Sequence, residues 1–336
     1  MFHKSQDEIM KNWDINNLSP KLTVICITYN HEKYIEEAID SMLMQETNFP
    51  FEIIIGEDCS PDSTKNILIK YTEKYPLIIK SILRDENVGA FKNEEECILL
   101  ANGEYIAFLE GDDFWVDKLK LQKQVDFLDK NPEYGLVHGD VNHLEEKGSK
   151  LKKGFNQVNN VKIPNGDIYD FLLKPSHSIK TMTVCLRKEL LTNYYFNNPK
   201  IMKQNWKLID ISLWLIIAKY SKIYYFKEVF STYRLLEESA SRTKNYRKLY
   251  SFHTKIHSLR LFFFRTYGGS KEIKKILYLS YYNSLFFDGY NLDNKKMMYR
   301  GEVGLNFFQK KLSLKHKVYK CLIFLRLNKI ITRFYK

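Results

Sequence analysis

No stretch of this chain approaches the run of apolar residues that a membrane-spanning helix needs, so no integral membrane segment is expected. Residues Met1 to Asn17 are polar and charged, which gives no expectation of a secretory signal. Cysteine is sparse: Cys26, Cys59, Cys97, Cys185 and Cys321 are odd in number and scattered without metal-ligand spacing. That pattern argues against a disulfide framework and for reduced thiols in a cytosolic compartment. Two glycine patterns are also missing, the Gly-x-Gly-x-x-Gly turn and the Gly-Lys-Ser/Thr loop, so phosphates would not be cradled by glycine here. Apolar matter, by contrast, is plentiful. With 44% hydrophobic and 15% aromatic residues, the chain can bury a substantial core and does not read as disordered. At 336 residues it exceeds one typical domain, and a large core with an appended element is expected.

Acidic residues run short at one end only. The formal net charge is +12, yet residues 243–336 hold 21 Lys+Arg against 4 Asp+Glu, a balance of +17. The front of the chain is therefore mildly acidic. A coding bias toward lysine would act on both halves, so the asymmetry is not explained by it.

The stretch Gly103 to Asp113 organises the front half. Tyr105 to Leu109 is a short aromatic and branched run, as in a strand covered on both faces, and it ends in Glu110, Asp112 and Asp113. Ligands of open parallel sheets gather beyond the carboxyl ends of such strands. Two readings stand at this level. The triplet is an acidic turn that caps the next helix, or its crowded charges take a hard cation, Mg²⁺ or Mn²⁺, whose shell phosphate oxygens complete.

Further strands are expected at Leu22–Ile27, Phe51–Gly56, Leu77–Leu83, Tyr134–Val141 and Met182–Leu186. Amphipathic helices lie between them: Ile35, Ala38, Ile39, Met42 and Leu43 share one face, as do Leu121, Val125 and Leu128 behind a capping Asp117. Alternation of strand and helix describes a parallel, doubly wound sheet. Thr28 and Asn30 after the first strand read as helix caps or ligand groups, and Tyr29 could offer its ring to a flat base. Ser60-Pro61 reads as a helix start. Asp58, ahead of that cap, can accept from the imide N–H of a pyrimidine or from a ribose hydroxyl. Lys147–Val161 reads as a loop or irregular hairpin, and His177 as a loop histidine. Asp210 stands at the first turn of a helix with Ile211, Trp214, Leu215 and Ala218 on one face; cap or dipole partner is its ordinary role.

Thr28-Tyr29-Asn30, Glu57-Asp58-x-Ser60, Asn87-x-Gly89, Asn93 and Glu110-x-Asp112-Asp113, in this order, make the sequence similar to the family 2 glycosyltransferases of GT-A fold. The likeness covers Leu22 to about Asn142 closely and extends more loosely to about Arg242. It implies an α/β fold with a mostly parallel sheet over 18–242, followed by a helical basic region over 243–336. It also implies an inverting transferase that takes a nucleotide-activated sugar and a surface-glycan acceptor. In that family the positions of Tyr29 and Asp58 contact the base. Those of Asp112 and Asp113 hold ribose and a Mn²⁺ or Mg²⁺ bridging the diphosphate. Thr28 and Asn30 fall in the same donor-binding set, as does Lys92, where many members carry arginine. Asp210 matches the catalytic base, with Ile209 replacing the usual first acid. Arg242 falls where a diphosphate partner is expected, whereas Leu236-Glu237-Glu238 replaces a segment that often holds a histidine.

From Thr243 onward, basic residues alternate with aromatics and leucines, as in Leu261 to Arg265 and Lys317 to Arg326. These read as helices, either a bundle with solvated charges or a surface for an anionic membrane that carries a lipid-linked glycan. A sugar-nucleotidyltransferase is a rival, but Thr28-Tyr29-Asn30-His31 is not the glycine-rich basic loop it would need. A nucleic-acid-binding protein is a further rival, and no motif of that kind is present.

Overall fold

The computed structural model describes residues 4–14, 16–145, 150–175, 179–204, 209–236, 246–309, 313 and 315–319. They form two compact units, 1–168 with 179–235, and 169–178 with 236–336. The first unit opens with α1 (Gln6–Met10) and then runs β1 (Leu22–Thr28), α2 (Ile35–Leu43), β2 (Phe51–Glu57), α3 (Thr64–Lys74), β3 (Ile79–Leu83), α4 (Ala90–Leu100) and β4 (Tyr105–Glu110). Next come β5 (Phe114–Trp115), α5 (Lys120–Lys130), β6 (Tyr134–Glu145), β7 (Lys150–Lys152) and the short α6 (Phe155–Val158). The segment α7 (Tyr169–Leu173) belongs to the second unit. Back in the first unit, a 3-10 turn at Thr181–Thr183 precedes β8 (Cys185–Arg187), α8 (Lys188–Leu190), a π-helical turn at Leu191–Phe196, α9 (Pro199–Met202), α10 (Ile209–Tyr220) and β9 (Lys222–Leu235). Three long helices, α11 (Tyr246–Tyr267), α12 (Lys271–Asn291) and α13 (Lys295–Gln309), complete the second unit.

One nine-stranded sheet runs in the order β3-β2-β1-β4-β8-β6-β9-β5, with β7 paired to β6. The half formed by β3, β2, β1 and β4 is parallel throughout. Beyond β4 the strand β8 is antiparallel to both neighbours, and β6 and β9 pair in parallel with register shifts between Tyr134 and Val141. β1 and β2 are buried nearly end to end on both faces, as their branched runs require. The apolar stripe of α2 and that of α5 pack on this sheet with every expected residue buried. Their removal from water drives the docking, at about 25 cal/mol per Å² of apolar surface.

Several local expectations shift. β3 starts at Ile79, leaving Leu77 exposed, and the expected strand over Met182–Leu186 is a 3-10 turn followed by β8. Ser60 does not cap α3, which begins at Thr64. Its N–H instead donates to Glu57 Oε1 (2.7 Å), and its hydroxyl accepts from Asn30 N–H (2.9 Å). Asp117 lies two residues before the N-cap of α5, Leu119, and accepts from its N–H (2.9 Å). In α10 Leu213, Ile216 and Ile217 are as buried as Trp214 and Leu215, so this helix is covered all round rather than on one face. In the second unit, Tyr169 Oη donates to Phe263 O (3.0 Å), and Ser270 N–H donates to Asp170 Oδ2 (3.0 Å), which fixes α7 against the long helices. No helix among the described residues is long and apolar enough to cross a membrane.

Candidate active site

Parallel pairing builds the site. Ile27 stands opposite Glu110 in the β1–β4 ladder, and Thr28 opposite Glu57 in the β1–β2 ladder. The turns 28–31, 57–60 and 110–113 therefore leave the sheet along one edge. Gly111 N–H donates to Ile27 O (3.0 Å) and Asp58 N–H to Thr28 O (3.1 Å). Only glycine allows this approach at 111, because a Cβ there would lie 2.6 Å from Thr28 Oγ1 and 2.9 Å from His31 Nδ1.

Thr28 and Asn30 do not cap a helix, since α2 starts at Ile35 behind Tyr34. Thr28 Oγ1 lies 3.1 Å from His31 Nδ1, and Asn30 takes a left-handed φ of 59° that its short polar side chain tolerates. Tyr29, 46% exposed, leaves its ring open to solvent. Asp58 has a structural task that its sequence position did not reveal. It is buried, and its two carboxylate oxygens accept from Val88 N–H (2.8 Å) and Gly89 N–H (2.9 Å). Its carbonyl accepts from Asn87 Nδ2 (3.0 Å), so Asn87-x-Gly89 is a loop clamped onto the end of β2. Asn93 is likewise a brace: its Nδ2 donates to Gly56 O (2.8 Å), and its Oδ1 accepts from Arg84 Nε (3.0 Å). Lys92 sits on the surface of α4, with Nζ 3.7 Å from Glu96.

The acidic turn is buried and crowded. Asp113 is almost inaccessible, and burial pushes its carboxyl well above the usual range. Asp112 and Glu110 add to the shift, against the pull of Arg234. Glu110 is pushed up to about 8, first by burial, then by Asp112 and Asp210, with Lys180 opposing. One of its oxygens, Oε2, is buried with no hydrogen-bond partner. On α4, Glu94 is raised in the same sense by burial, Glu110 and Asp210. The structure thus brings Asp210, from α10, into the field of the acidic turn. Its Oδ1 accepts from Ile211 N–H (2.7 Å). Trp214, one turn on, packs edge-on against Phe108 of β4 at 5.8 Å.

Arg234 on β9 braces this turn. Its N–H donates to Asp113 Oδ1 (2.7 Å), its Nε to Asp112 O (2.8 Å) and its Nη2 to Glu37 Oε2 (2.6 Å). The guanidinium lies over the rings of Tyr34 (4.8 Å) and Phe114 (5.3 Å). Arg234, Glu94 and Lys180 were not singled out in the sequence. Arg234 and Lys180 come from segments remote in the chain and Glu94 from the helix just before β4, and the only cue was the arginine at Tyr233-Arg234. Arg242, Trp206 and His177 lie outside the described residues.

Among the described residues, no group of three or more His, Cys, Asp or Glu side chains stands ready to hold a metal ion unaided. The donors at the turn are nevertheless hard oxygens whose charges repel, and Glu110 Oε2 has no partner. Such a set fits Mn²⁺ or Mg²⁺ held by one or two carboxylates, with phosphate and water oxygens as the other ligands.

A family model for glycosyl transferase family 2 matches residues 23–192. The chain belongs to glycosyl transferase family 2. It is 30% identical over 237 residues to the putative teichuronic acid biosynthesis glycosyltransferase TuaG of Bacillus subtilis, a match covering 70% of this chain and 85% of TuaG. An uncharacterized protein of Mycobacterium tuberculosis is 43% identical over 129 residues, and there the match spans only 37% of the relative's length. Among solved structures, Staphylococcus aureus TarS 1–349 in complex with UDP-GlcNAc superposes with a TM-score of 0.57 at 21% identity. That match covers 92% of this chain and 88% of TarS 1–349. Mannosyltransferase PcManGT from Pyrobaculum calidifontis, in complex with GDP-Man and Mn²⁺, gives 0.52 at 18% identity, covering 90% and 79%. At these identities the likeness is one of fold, the GT-A fold. Family membership makes the chain a glycosyltransferase, the enzyme class the sequence resemblance implied.

Proposed function

We propose that the enzyme is a metal-dependent, inverting transferase that moves a sugar from a nucleoside-diphosphate donor to a cell-surface glycan. The observation that carries this reading is the electrostatic meeting of Asp210 with Glu110 at the end of β4. It sets a carboxylate from α10 beside a donor-side acidic turn. Tyr29 stacks on the base. Asp58, after accepting two backbone N–H groups, keeps lone pairs for the base or ribose. Thr28, Asn30 and Asp112 line the donor's ribose side, while Lys92 and Arg242 serve its phosphates. Asp112 and Asp113 would hold a Mn²⁺ or Mg²⁺ that offsets charge on the diphosphate.

Asp210 then acts as general base. One of its oxygens takes the proton of the acceptor hydroxyl as that oxygen bonds to the anomeric carbon. The bond from that carbon to the diphosphate breaks on the opposite face, and the nucleoside diphosphate leaves as the anion. A teichuronic-acid relative supports a surface polysaccharide as acceptor. The basic region 243–336 would hold the enzyme at an anionic membrane face that carries a lipid-linked glycan. Screening UDP- and GDP-sugars for Mn²⁺-dependent hydrolysis tests the reading. At least one donor should be cleaved, and cleavage should stop with chelator.

A further inference from the structure

A half-open groove with a volume of about 470 Å³ lies within the second unit, lined among others by Arg265, Tyr282, Tyr299, Arg300, Phe307 and Phe308. Two of its rings, Tyr282 and Phe308, form a stacked floor with Tyr278 beside them, while Phe307 stands edge-on to Phe308 at 76°. Tyr278 and Phe308 stack at 4.8 Å and 18°, and Tyr282 lies 6.0 Å from Phe308 at 30°. Gly304 creates this floor: a Cβ there would meet the Tyr282 ring at 2.2 Å, so the ring lies directly on the backbone of α13. At the rim Tyr299 is 65% exposed and Phe307 81% exposed, far more than packing alone would leave for such large rings.

The charge of the groove is of one sign. Among the described residues no acidic side chain lines it. Arg265 donates through Nε to Tyr278 Oη (3.2 Å), with its guanidinium 5.3 Å from that ring, and Arg300 is exposed. Among the described residues, neither arginine pairs with a carboxylate. Arginine forks match carboxylate and phosphate groups bidentately, and flat rings cover the C–H faces of a pyranose. A concave site of this size suits a few linked sugar rings rather than the plane of a bilayer.

We propose that this groove holds an anionic saccharide chain, the polymeric acceptor, with Arg300 and Arg265 on its acidic groups and Tyr299 and Phe307 on its sugar faces. The proposal deepens the glycan-acceptor reading above and rests on it for the word acceptor. Binding is measured without any donor, so a failure of sugar transfer and a failure of this groove are read separately.

The test is isothermal titration of the full chain with four probes: hexagalacturonate, a phosphodiester-linked oligosaccharide of similar length, maltohexaose, and phosphatidylglycerol vesicles. At least one of the two anionic chains should bind saturably, and neutral maltohexaose about tenfold more weakly or not at all. Arg300→Gln and Tyr299→Ala should each weaken that binding about tenfold, with melting temperatures unchanged. Which anionic probe binds identifies carboxylate or phosphate as the recognised group. Three results would overturn the proposal. They are no binding of either anionic chain, equal binding by the folded variants, and displacement of the bound chain by vesicles, which would make the groove a lipid contact.

Discussion

Asp210, on a helix far along the chain, comes into the electrostatic field of the acidic turn, and its own oxygen holds the N–H of Ile211. Asp210→Asn keeps that amide contact, because the side-chain oxygen remains, but removes the group that accepts a proton. Turnover should fall by about two or more orders of magnitude while donor affinity is spared. Single-turnover kinetics with a separate donor titration would check this, and near-normal turnover would leave Asp210 only a helix cap. Asp58 separates two roles in a different way. Asp58→Ala leaves two half-buried N–H groups, Val88 and Gly89, without their carboxylate and should destabilise the fold by about 1–3 kcal/mol in urea unfolding. A residue that served only the base would leave stability untouched. At this scale the sequence was legible where a residue follows a strand directly, as Thr28, Tyr29, Asp58 and Asp113 do. It was not legible for Glu94 and Lys180, whose relevance comes from burial beside a charge contributed by another segment.

Strands and helices decide how firmly those residues are held. β9 carries Arg234 to the acidic turn, where it makes three hydrogen bonds and sits between two rings. Arg234→Met keeps the backbone bond to Asp113 and loses the guanidinium contacts to Asp112 O and Glu37. The loosened turn should raise the donor KM more than it lowers kcat, and steady-state kinetics with the chosen donor will show the split. α5 offers a pH test. Lys120 is fully buried, donates to Gln124 Oε1 (2.8 Å) and lies over Trp115 at 4.2 Å. Burial lowers its amine to about 7, with Cys185 and Asp117 opposing. A lysine depressed in the folded state binds fewer protons there than when unfolded. Its cost is therefore full below about pH 7 and shrinks as pH rises toward the unfolded value near 10.5. The stability of wild type relative to Lys120→Met should climb from about pH 7 to about pH 10, and a flat difference would contradict an amine depressed by burial.

Parallel strands with branched runs, and helices with one apolar face, were readable from period alone, which is why β1, β2, β4, α2 and α5 fall where expected. The strand at β8 and the helix α10 were also expected, but the start of β8 and the burial of 212–218 on every side of α10 were not, because a short or evenly apolar run carries no period to assign a face.

Across the whole chain, the charge asymmetry and the two compact units divide the protein at similar places. The compact unit ends at 235, whereas the change in composition was placed at 242. Segment 169–178 joins the later unit through contacts such as Tyr169 to Phe263, which no local pattern announces. His316 and Tyr319 pack on α12, with His316 Nε2 at 2.8 Å from Asn283 Oδ1, so a truncation that tests the tail should begin after them. Deleting 320–336 removes five Lys+Arg and no acid. Each basic residue near an anionic surface contributes on the order of 1 kcal/mol, so sedimentation with anionic vesicles should drop measurably while donor hydrolysis persists. Equal sedimentation of the two folded proteins would remove the membrane role.

The central claim is that the carboxylates beyond β4 bind a nucleotide sugar through a divalent cation. It is tested most directly by calorimetric titration of UDP- and GDP-sugars into wild type and Asp113→Asn, each with Mn²⁺ and with chelator. Asparagine keeps an oxygen for Arg234 N–H, so the fold should survive. Wild type should bind a donor in Mn²⁺ and lose at least about tenfold in affinity with chelator, and Asp113→Asn should bind weakly in both. Equal donor affinity for both proteins, with and without Mn²⁺, would contradict the claim.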